Sequence, residues 1–492
     1  MSNSSSANRV PSPTIHASLE RAVLPEKLAV VTLAAGKGSR MKSELPKVLH
    51  TLAGKPMLQH VLDSAGQLQG AEQHVVIGHG ADSVRDVIGK AGDYPVQWAV
   101  QAEQKGTGHA VAQAMPNVDD DAVVLVLYGD VPLIAPQTLA GLLAKTAVSD
   151  DNESANNAGA LVLLTIELDN PTGYGRIVRN AAGEVQAIVE QKDASEAERQ
   201  IREVNTGILA VSAKHLKRWL PQLSSNNAQG EYYLTDIVAL AVAEGVEVVA
   251  EHPSSEFEVQ GVNDRLQLAT LERVYQATQA DDLMRLGVAL ADPARLDVRG
   301  SLVVGSDVFI DVGCVFEGHV ILGNGVHIGP YCVVRDSEIS AGSRIEAYSH
   351  IDNASLAEGC NIGPYARLRP GADLDTGARV GNFCEVKKAR IGAGSKVNHL
   401  SYIGDADVGE GVNVGAGTIT CNYDGVNKSL TRIGDNAFIG SNSALVAPVE
   451  VGAGATIAAG SVITSKVDDN QLAVARGKQR NIDGWQRPTK KS

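Results

Sequence analysis

The chain has 492 residues, too many for one ordinary core at roughly 100–200 residues per domain, so two or more domains are expected. Hydrophobic residues at 44% and charged residues at 20% describe a globular chain, and the net charge of −14 argues against nucleic acid as a partner, because phosphate backbones need a basic face. Any phosphate site must be local. Fifty glycines beside only 4% aromatics point to cores of small, tightly stacked layers filled by Val, Ile, Leu and Ala.

The N-terminal stretch MSNSSSANRVPSPTIHAS has no apolar segment of a secretory signal, and residues 1–27 read as a disordered leader. The longest apolar runs, near 28–35 and 122–128, are too short to span a membrane, so a cytoplasmic protein without a membrane partner is expected. The five cysteines, Cys314, Cys332, Cys360, Cys384 and Cys421, are odd in number, widely spaced and without a CxxC pair. They read as small buried thiols, with neither disulfides nor zinc.

Leu28–Leu33 (LAVVTL) is the continuous apolar run of a buried parallel strand. Similar runs follow at His74–Gly78, Val96–Val100, Ala122–Tyr128 and Leu161–Ile166, separated by amphipathic stretches such as Met57–Leu68. Strands alternating with helices predict a doubly wound α/β domain that binds its ligand at the carboxyl ends of the strands. The first strand runs into AAGKGSRM, Ala34–Met41. This loop lacks the third glycine of GxGxxG and lacks GxxxxGK[ST], which disfavours a dinucleotide-dependent dehydrogenase and a P-loop ATPase. A strand, a glycine loop and the cations Lys37, Arg40 and Lys47 remain, and these can cradle a triphosphate. A glycine-rich turn after a strand is often only structural. Three cations in an acidic chain favour the functional reading.

Asp264–Leu286 reads as a linker helix with Leu268, Leu271, Tyr275 and Leu283/Met284 on one stripe. Beyond it the chain repeats in sixes. From Val298 the apolar stops are Val304, Ile310, Phe316, Leu322, Ile328 and Val334, then, after one-residue slips, Ile339, Ile345, Ile351 and Leu356, Ile362, Leu368, Leu374, Val380, Val386. They continue through Ile391, Val397, Ile403, Val408 and Val414 and resume at Ile433, Ile439, Leu445, Val451, Ile457 and Ile463. Period six is neither a helix nor a plain strand, and it suits a triangular parallel β-helix in which each hexapeptide makes one side. Aromatic rings are expected to be too large for the interior column. The polar interruption CNYDGVNKSLTR between Thr420 and Ile433 is a loop ejected from the stack, and loops carried by rigid scaffolds tend to carry function.

LAAGKGSRM with LPKVLH resembles the sugar-nucleotide pyrophosphorylases. QAEQKGTGHA, LYGDVPL, PTGYGRI, VEQKDA, NTGI, EYYLTD and GVNDR, joined to a hexapeptide β-helix, narrow the resemblance to the bifunctional N-acetylglucosamine-1-phosphate uridyltransferase and glucosamine-1-phosphate N-acetyltransferase family, over nearly all of Leu28–Lys491. Ser39 in the glycine loop and Gln191 in VEQKD depart from the family pattern. The resemblance implies a left-handed β-helix and a homotrimer. It also implies domains at 28–262 (uridylyltransferase), 263–290 (linker helix) and 291–465 (acetyltransferase), with a basic tail at 466–492. The two activities would make UDP-N-acetylglucosamine for peptidoglycan and lipopolysaccharide precursors.

By this resemblance a sugar 1-phosphate attacks the α-phosphorus of UTP and expels pyrophosphate, so neutralising charge dominates the first site. Asp130, at a strand end, and Asn263 would hold Mg²⁺, with Lys47 and Arg40 steadying the phosphates. Leu33, Ala34, Ala35, Gly36, Gln101, Gly106, Thr107, Tyr128 and Gly129 would bind the nucleotide, and Gly175, Glu190, Asn205 and Thr235 the sugar. At the second site an amine attacks the thioester of acetyl-CoA, and His399 would take the proton. Arg369, Lys387, Tyr402, Asn413 and Lys428 would bind glucosamine 1-phosphate. Asn422, Tyr423, Ser441, Ala459 and Arg476 would bind acetyl-CoA. From Arg476 to Lys491 six basic residues face one acid, either a solvated tail or a clamp on CoA phosphates. Two other readings stay open: a single-activity nucleotidyltransferase whose β-helix serves regulation, and a scaffold whose solenoid only oligomerises. His399, Lys387 and the 421–432 loop weigh against the first, and the second predicts no acetyl transfer and no CoA binding.

Overall fold

The computed structural model describes residues 24–91, 95–146 and 159–490. Contacts divide the chain into two units, one ending at Tyr275 and the next beginning at Gln276. Residues 1–23 of the expected leader lie outside the described residues. Its last part is ordered: Leu24 packs on the first core, and the Lys27 ammonium pairs with Asp119 at 2.6 Å.

The main-sheet strands of the first unit are Leu28–Ala34 (β1), Ala71–Ile77 (β2), Val96–Val100 (β3), Val123–Tyr128 (β4), Leu161–Glu167 (β5), Arg176–Arg179 (β6), Val185–Val189 (β7), Glu203–Ser212 (β8) and Val248–Glu251 (β9). They form one sheet in the order β9-β5-β8-β4-β1-β2-β3, with the β6–β7 hairpin hung on β8. Its helices are Met57–Gly66 (α1), Ala81–Ala91 (α2), Thr107–Ala114 (α3), Pro136–Ala144 (α4), Ala213–Trp219 (α5), Ile237–Ala243 (α6) and Arg265–Arg285 (α7), the last running on into the second unit. All seven residues of β1 are buried, as a strand covered on both faces requires. Alternate side chains go to opposite cores: Ala29, Val31 and Leu33 pack with residues of α3, α5 and α6, while Leu28 and Val30 pack with α1 and α4. β1 pairs in parallel with β2 and β4, but β8 runs antiparallel to β4 and β5. The sheet is therefore mixed, because the chain enters β8 from the β6–β7 hairpin and not from a crossover helix. The β8–β5 register slips between Asn205 and Leu209. At the slip Gly207 takes φ +89°, and a Cβ there would lie 2.5 Å from the Tyr128 ring, so only glycine fits.

The second unit is a parallel β-helix. Corresponding short strands of successive coils pair in parallel, for example Val333–Arg335 on His350–Asp352. Every apolar stop of the hexapeptide frame is buried except Val304, which is half-buried near the start of the stack. Phe316 is only 1% exposed, so the interior does accept a ring where it is needed. Other aromatics stand outside, at corners. Tyr331, Tyr348, Tyr365 and Phe383 stack as a ladder with ring centroids 5.2, 5.0 and 5.4 Å apart, each 46–57% exposed. Their backbones all lie near φ +57°. The frame does not break at Thr420, which is buried at the inward position. Its hydroxyl accepts from Gly404 N at 2.8 Å and faces Gly404 O at 3.0 Å, so a polar side chain inside the column is satisfied by the coil below. Cys314, Cys332, Cys360 and Cys384 are buried corner thiols, and burial pushes the first three up to about 11, 12 and 11. Cys421, beside the ejected loop, is half-buried.

The expected single stripe of α7 splits. Leu268, Leu271 and Tyr275 pack with Met41, Leu52, Met57 and Val262 of the first unit, while Leu283 joins the β-helix core and Met284 is exposed. Gln276, 2% exposed, hydrogen-bonds both N and O of Val298 in the first coil of the second unit.

Ile439 is fully buried in the column. Ile439→Asp is expected to cost on the order of 4 kcal/mol by burying an unpaired charge. Thermal unfolding checks this, and an unchanged midpoint would contradict the assigned frame.

Candidate active sites

In the first unit the sheet brings the glycine loop and the end of β4 side by side. Gly129 N donates to Leu33 O at 2.9 Å, which places Asp130 next to the loop. Leu33, Ala34, Ala35, Gly36, Lys47, Gln101, Gly106, Thr107, Tyr128 and Asp130 line one cavity of about 310 Å³. Gln104 and Glu231 line it too and were not singled out from the sequence. Gly38 has φ +60°, and a Cβ there would lie 2.5 Å from Lys47 Cβ, so the turn and the lysine pack closely. The Lys47 ammonium contacts the Asp130 carboxylate and lies 3.3 Å from Asn263 Oδ1, to which Arg40 also donates at 2.8 Å. Two oxygen donors thus converge on a cation. Such a donor set fits a hard divalent ion that takes its other ligands from water and phosphate. Among the described residues no cluster of three or more His, Cys, Asp and Glu is built to hold a metal by protein alone. Lys37 is exposed.

The Gln101 amide donates to Gly106 O and approaches His109 Nδ1, both at 3.1 Å, and is held ready at the cavity edge. Thr107 accepts from Leu234 N at 3.1 Å, turning its hydroxyl toward structure. Four expected sugar residues form a separate group. Asn205 N donates to Gly175 O at 2.9 Å, and Thr235 donates to Glu190 at 3.3 Å. A Cβ on Gly175 would sit 2.8 Å from Ile188 and 3.3 Å from the Glu190 carboxylate, so the backbone comes close to that acid. Burial raises the Glu190 pKa despite the Thr235 bond, with Asp193 and Asp236 adding to it. Burial, with Glu190 and Asp130 nearby, also pushes the Tyr128 phenol upward and keeps it neutral.

In the second unit the site is built by stacking. His399 ends the strand Lys396–His399, directly above Asn382 of the coil below, and its Nδ1 lies 3.1 Å from Asn382 Oδ1. With the Asn382 carbonyl oxygen as acceptor, Nδ1 is the donor, and in the neutral ring Nε2 then bears the lone pair. The ring is exposed. Arg369 donates to Glu385 at 2.8 Å, and Glu385 pairs in register with Tyr402, as Lys387 does with Gly404. The Tyr402 ring covers Gly404, where a Cβ would lie 2.3 Å from its hydroxyl. Asn422, 8% exposed, donates to Asp405 and faces the Tyr402 hydroxyl at 3.5 Å. Ser441 and Ala459 occupy consecutive coils linked by Gly460 N to Ser441 O at 2.8 Å, and Arg476 donates to Ala459 O at 2.6 Å. Tyr423 and Lys428 pair across the ejected hairpin and are exposed, and neither bonds to the rest of the group. Asn413 pairs in register with Lys396, in the strand that carries His399, and with Phe438 of the next coil. The sequence reading missed Asn382, Glu385 and Asp405. The signal was available: each stands 16 or 17 residues, one coil, from the residue it supports.

Family models place a MobA-like NTP transferase domain at residues 30–201 and bacterial transferase hexapeptides at 301–336, with a hexapeptide repeat of succinyl-transferase at 430–465. Proteins curated as bifunctional protein GlmU match along 94% of the chain. That of Marinobacter nauticus is 61% identical over 463 residues, 94% of this chain and 99% of its own. That of Cellvibrio japonicus is 59% identical over 465 residues, 94% of this chain and 100% of its own. The chain belongs to the GlmU family. With it come the left-handed form of the β-helix and the two activities of that family, uridyltransferase and acetyltransferase, in UDP-N-acetylglucosamine synthesis. Among the described residues no helix is long and apolar enough to cross a membrane.

A buried carboxylate with a raised pKa costs the fold stability once it ionises. Stability is lost as pH rises from the unfolded value through the raised folded value. Glu190→Gln is therefore expected to raise the unfolding temperature at pH 7–8, and the gain should fade as pH falls toward about 4. Thermal scans against pH check this, and a gain that grows in acid would contradict it.

Proposed function

We propose that uridylyl transfer belongs to residues 28–262 and acetyl transfer to residues 291–465, with 263–290 as linker helix and 466–492 as a basic tail. The observation that carries this reading is the separation of the two constellations into units with their own cores. In the first, Leu33–Gly36, Gln101, Gly106, Thr107, Tyr128 and Gly129 hold UTP. Gly175, Glu190, Asn205 and Thr235 hold N-acetylglucosamine 1-phosphate. Asp130 and Asn263 would hold Mg²⁺, whose chemistry is to neutralise phosphate oxygens. Lys47 and Arg40, already drawn to the Asp130 and Asn263 oxygens, supply further positive charge as the sugar phosphate oxygen forms its bond to the α-phosphorus and the bond to pyrophosphate breaks.

In the second, Arg369, Lys387, Tyr402, Asn413 and Lys428 take glucosamine 1-phosphate. Asn422, Tyr423, Ser441, Ala459 and Arg476 take acetyl-CoA. His399 Nε2 accepts the amine proton as the C–N bond forms and the CoA thiolate leaves. Asn382 fixes the tautomer that leaves this nitrogen free. Lys428 stands on the exposed hairpin, with no bond to the other ligands within one chain. This supports a homotrimer in which a neighbour completes each site, and the exposed ladder of Tyr331, Tyr348, Tyr365 and Phe383 offers an apolar edge for such a neighbour. The setting is the cytoplasm, and the product feeds peptidoglycan and lipopolysaccharide precursors.

Asp130→Ala and chelation of Mg²⁺ are each expected to abolish uridylyl transfer and spare acetyl transfer. His399→Ala should lower the acetyl-transfer kcat about 10²–10⁴-fold, the usual worth of a positioned base, and spare uridylyl transfer. Separate steady-state assays check both, and equal loss of the two activities in any one folded variant would sink the two-site reading. Tyr348→Asp is expected to shift sedimentation from trimer to smaller species. An unchanged assembly would remove the ladder from the interface.

A further inference from the structure

The largest buried charge of the first unit lies outside every role assigned above. Arg176 opens β6 and is 1% exposed, yet no carboxylate is among its hydrogen-bond partners. Its guanidinium donates to the Tyr174 carbonyl and, at 2.6 Å, to Gln191 Oε1, and its Nε has no partner. The same Gln191 oxygen accepts from Gly173 N at 3.2 Å, where Gly173 turns with φ +95°. One amide oxygen thus ties a buried cation to the loop 171–175. That loop ends at Gly175, whose carbonyl takes Asn205 N, and Gln191 directly follows Glu190.

A buried cation without a counter-ion is costly, and a structural role alone would be met better by an apolar residue. We propose that Arg176 and Gln191 are a positioning pair for the sugar-phosphate end of the first site. Arg176 acts as a fork that presets the Thr172–Gly175 loop against Glu190, and Gln191 is the neutral acceptor that joins the two halves. This rests on the reading of Gly175, Glu190 and Asn205 as the sugar-binding group.

The test uses the full-length protein, with N-acetylglucosamine 1-phosphate and UTP varied separately. Gln191→Leu removes the shared acceptor and is expected to raise the sugar-phosphate KM about tenfold, the scale of one lost hydrogen bond to a charged group. The UTP KM should stay within about twofold and kcat within about threefold. Arg176→Lys keeps the charge but loses the fork and should behave likewise. Gln191→Glu keeps the acceptor oxygen and should restore the sugar-phosphate KM to within about threefold of the parent. An unchanged sugar-phosphate KM in folded Gln191→Leu and Arg176→Lys overturns the proposal, as does an equal rise in both KM values. Glu190→Gln run in parallel separates the two levels. If it raises the sugar-phosphate KM while Gln191→Leu does not, the pair is wrong and the site stands. If neither variant moves it, the sugar-binding reading itself falls.

Discussion

A prism interior that accepts one inward side chain per short side constrains everything in the C-terminal half. Ile345, Ile362, Val380 and Val397 stack one above another with no exposed area, and each fixes the orientation of its neighbours in the coil. Because the fill is aliphatic and close-packed, coils cannot slip, and a residue at a corner is held by the coil beneath it. His399 above Asn382, Glu385 beside Tyr402 and Asn422 against Asp405 are consequences of that stacking. Chemistry is placed on the outside by a rule that operates on the inside.

The N-terminal half meets a different demand. An acidic chain that takes anionic substrates needs local positive charge, and this unit holds a few cations close to side-chain oxygens. Lys47 sits between Asp130 and Asn263, with Arg40 donating to the same Asn263 oxygen. Neither cation is spent on bulk surface charge. The mixed sheet contributes directly: the antiparallel β8 brings the Gly207 bulge against Tyr128, which lines the cavity, and the same strand carries Asn205. A wholly parallel sheet would have needed a crossover at that point.

Much of this was legible in the sequence, for identifiable reasons. Period six is a strong signal because one side chain per side must be apolar, and nearly every predicted stop is buried. Thr420 escaped notice because a hydroxyl at an inward position looks like a break until the Gly404 backbone is seen to satisfy it. Phe316 was read correctly as inward although rings were expected to be excluded. The direction of β8 was not legible, since apolar runs carry no sign of strand direction. Asp130, Lys47 and Asn263 were found by motif, but their convergence needed the fold. Asn382 was not singled out because it lies in no quoted motif, and Arg176 lies within PTGYGRI, but a motif carries no sign that its guanidinium is buried.

The central claim is two independent sites sharing a diffusible product, and mixing two damaged proteins tests it most directly. Asp130→Ala and His399→Ala, each alone with glucosamine 1-phosphate, acetyl-CoA, UTP and Mg²⁺, should form almost no UDP-N-acetylglucosamine. An equal mixture should form it at a rate within a few-fold of the parent protein, because N-acetylglucosamine 1-phosphate made by one passes to the other. A mixture as inactive as either variant alone, with both variants folded, would contradict the account.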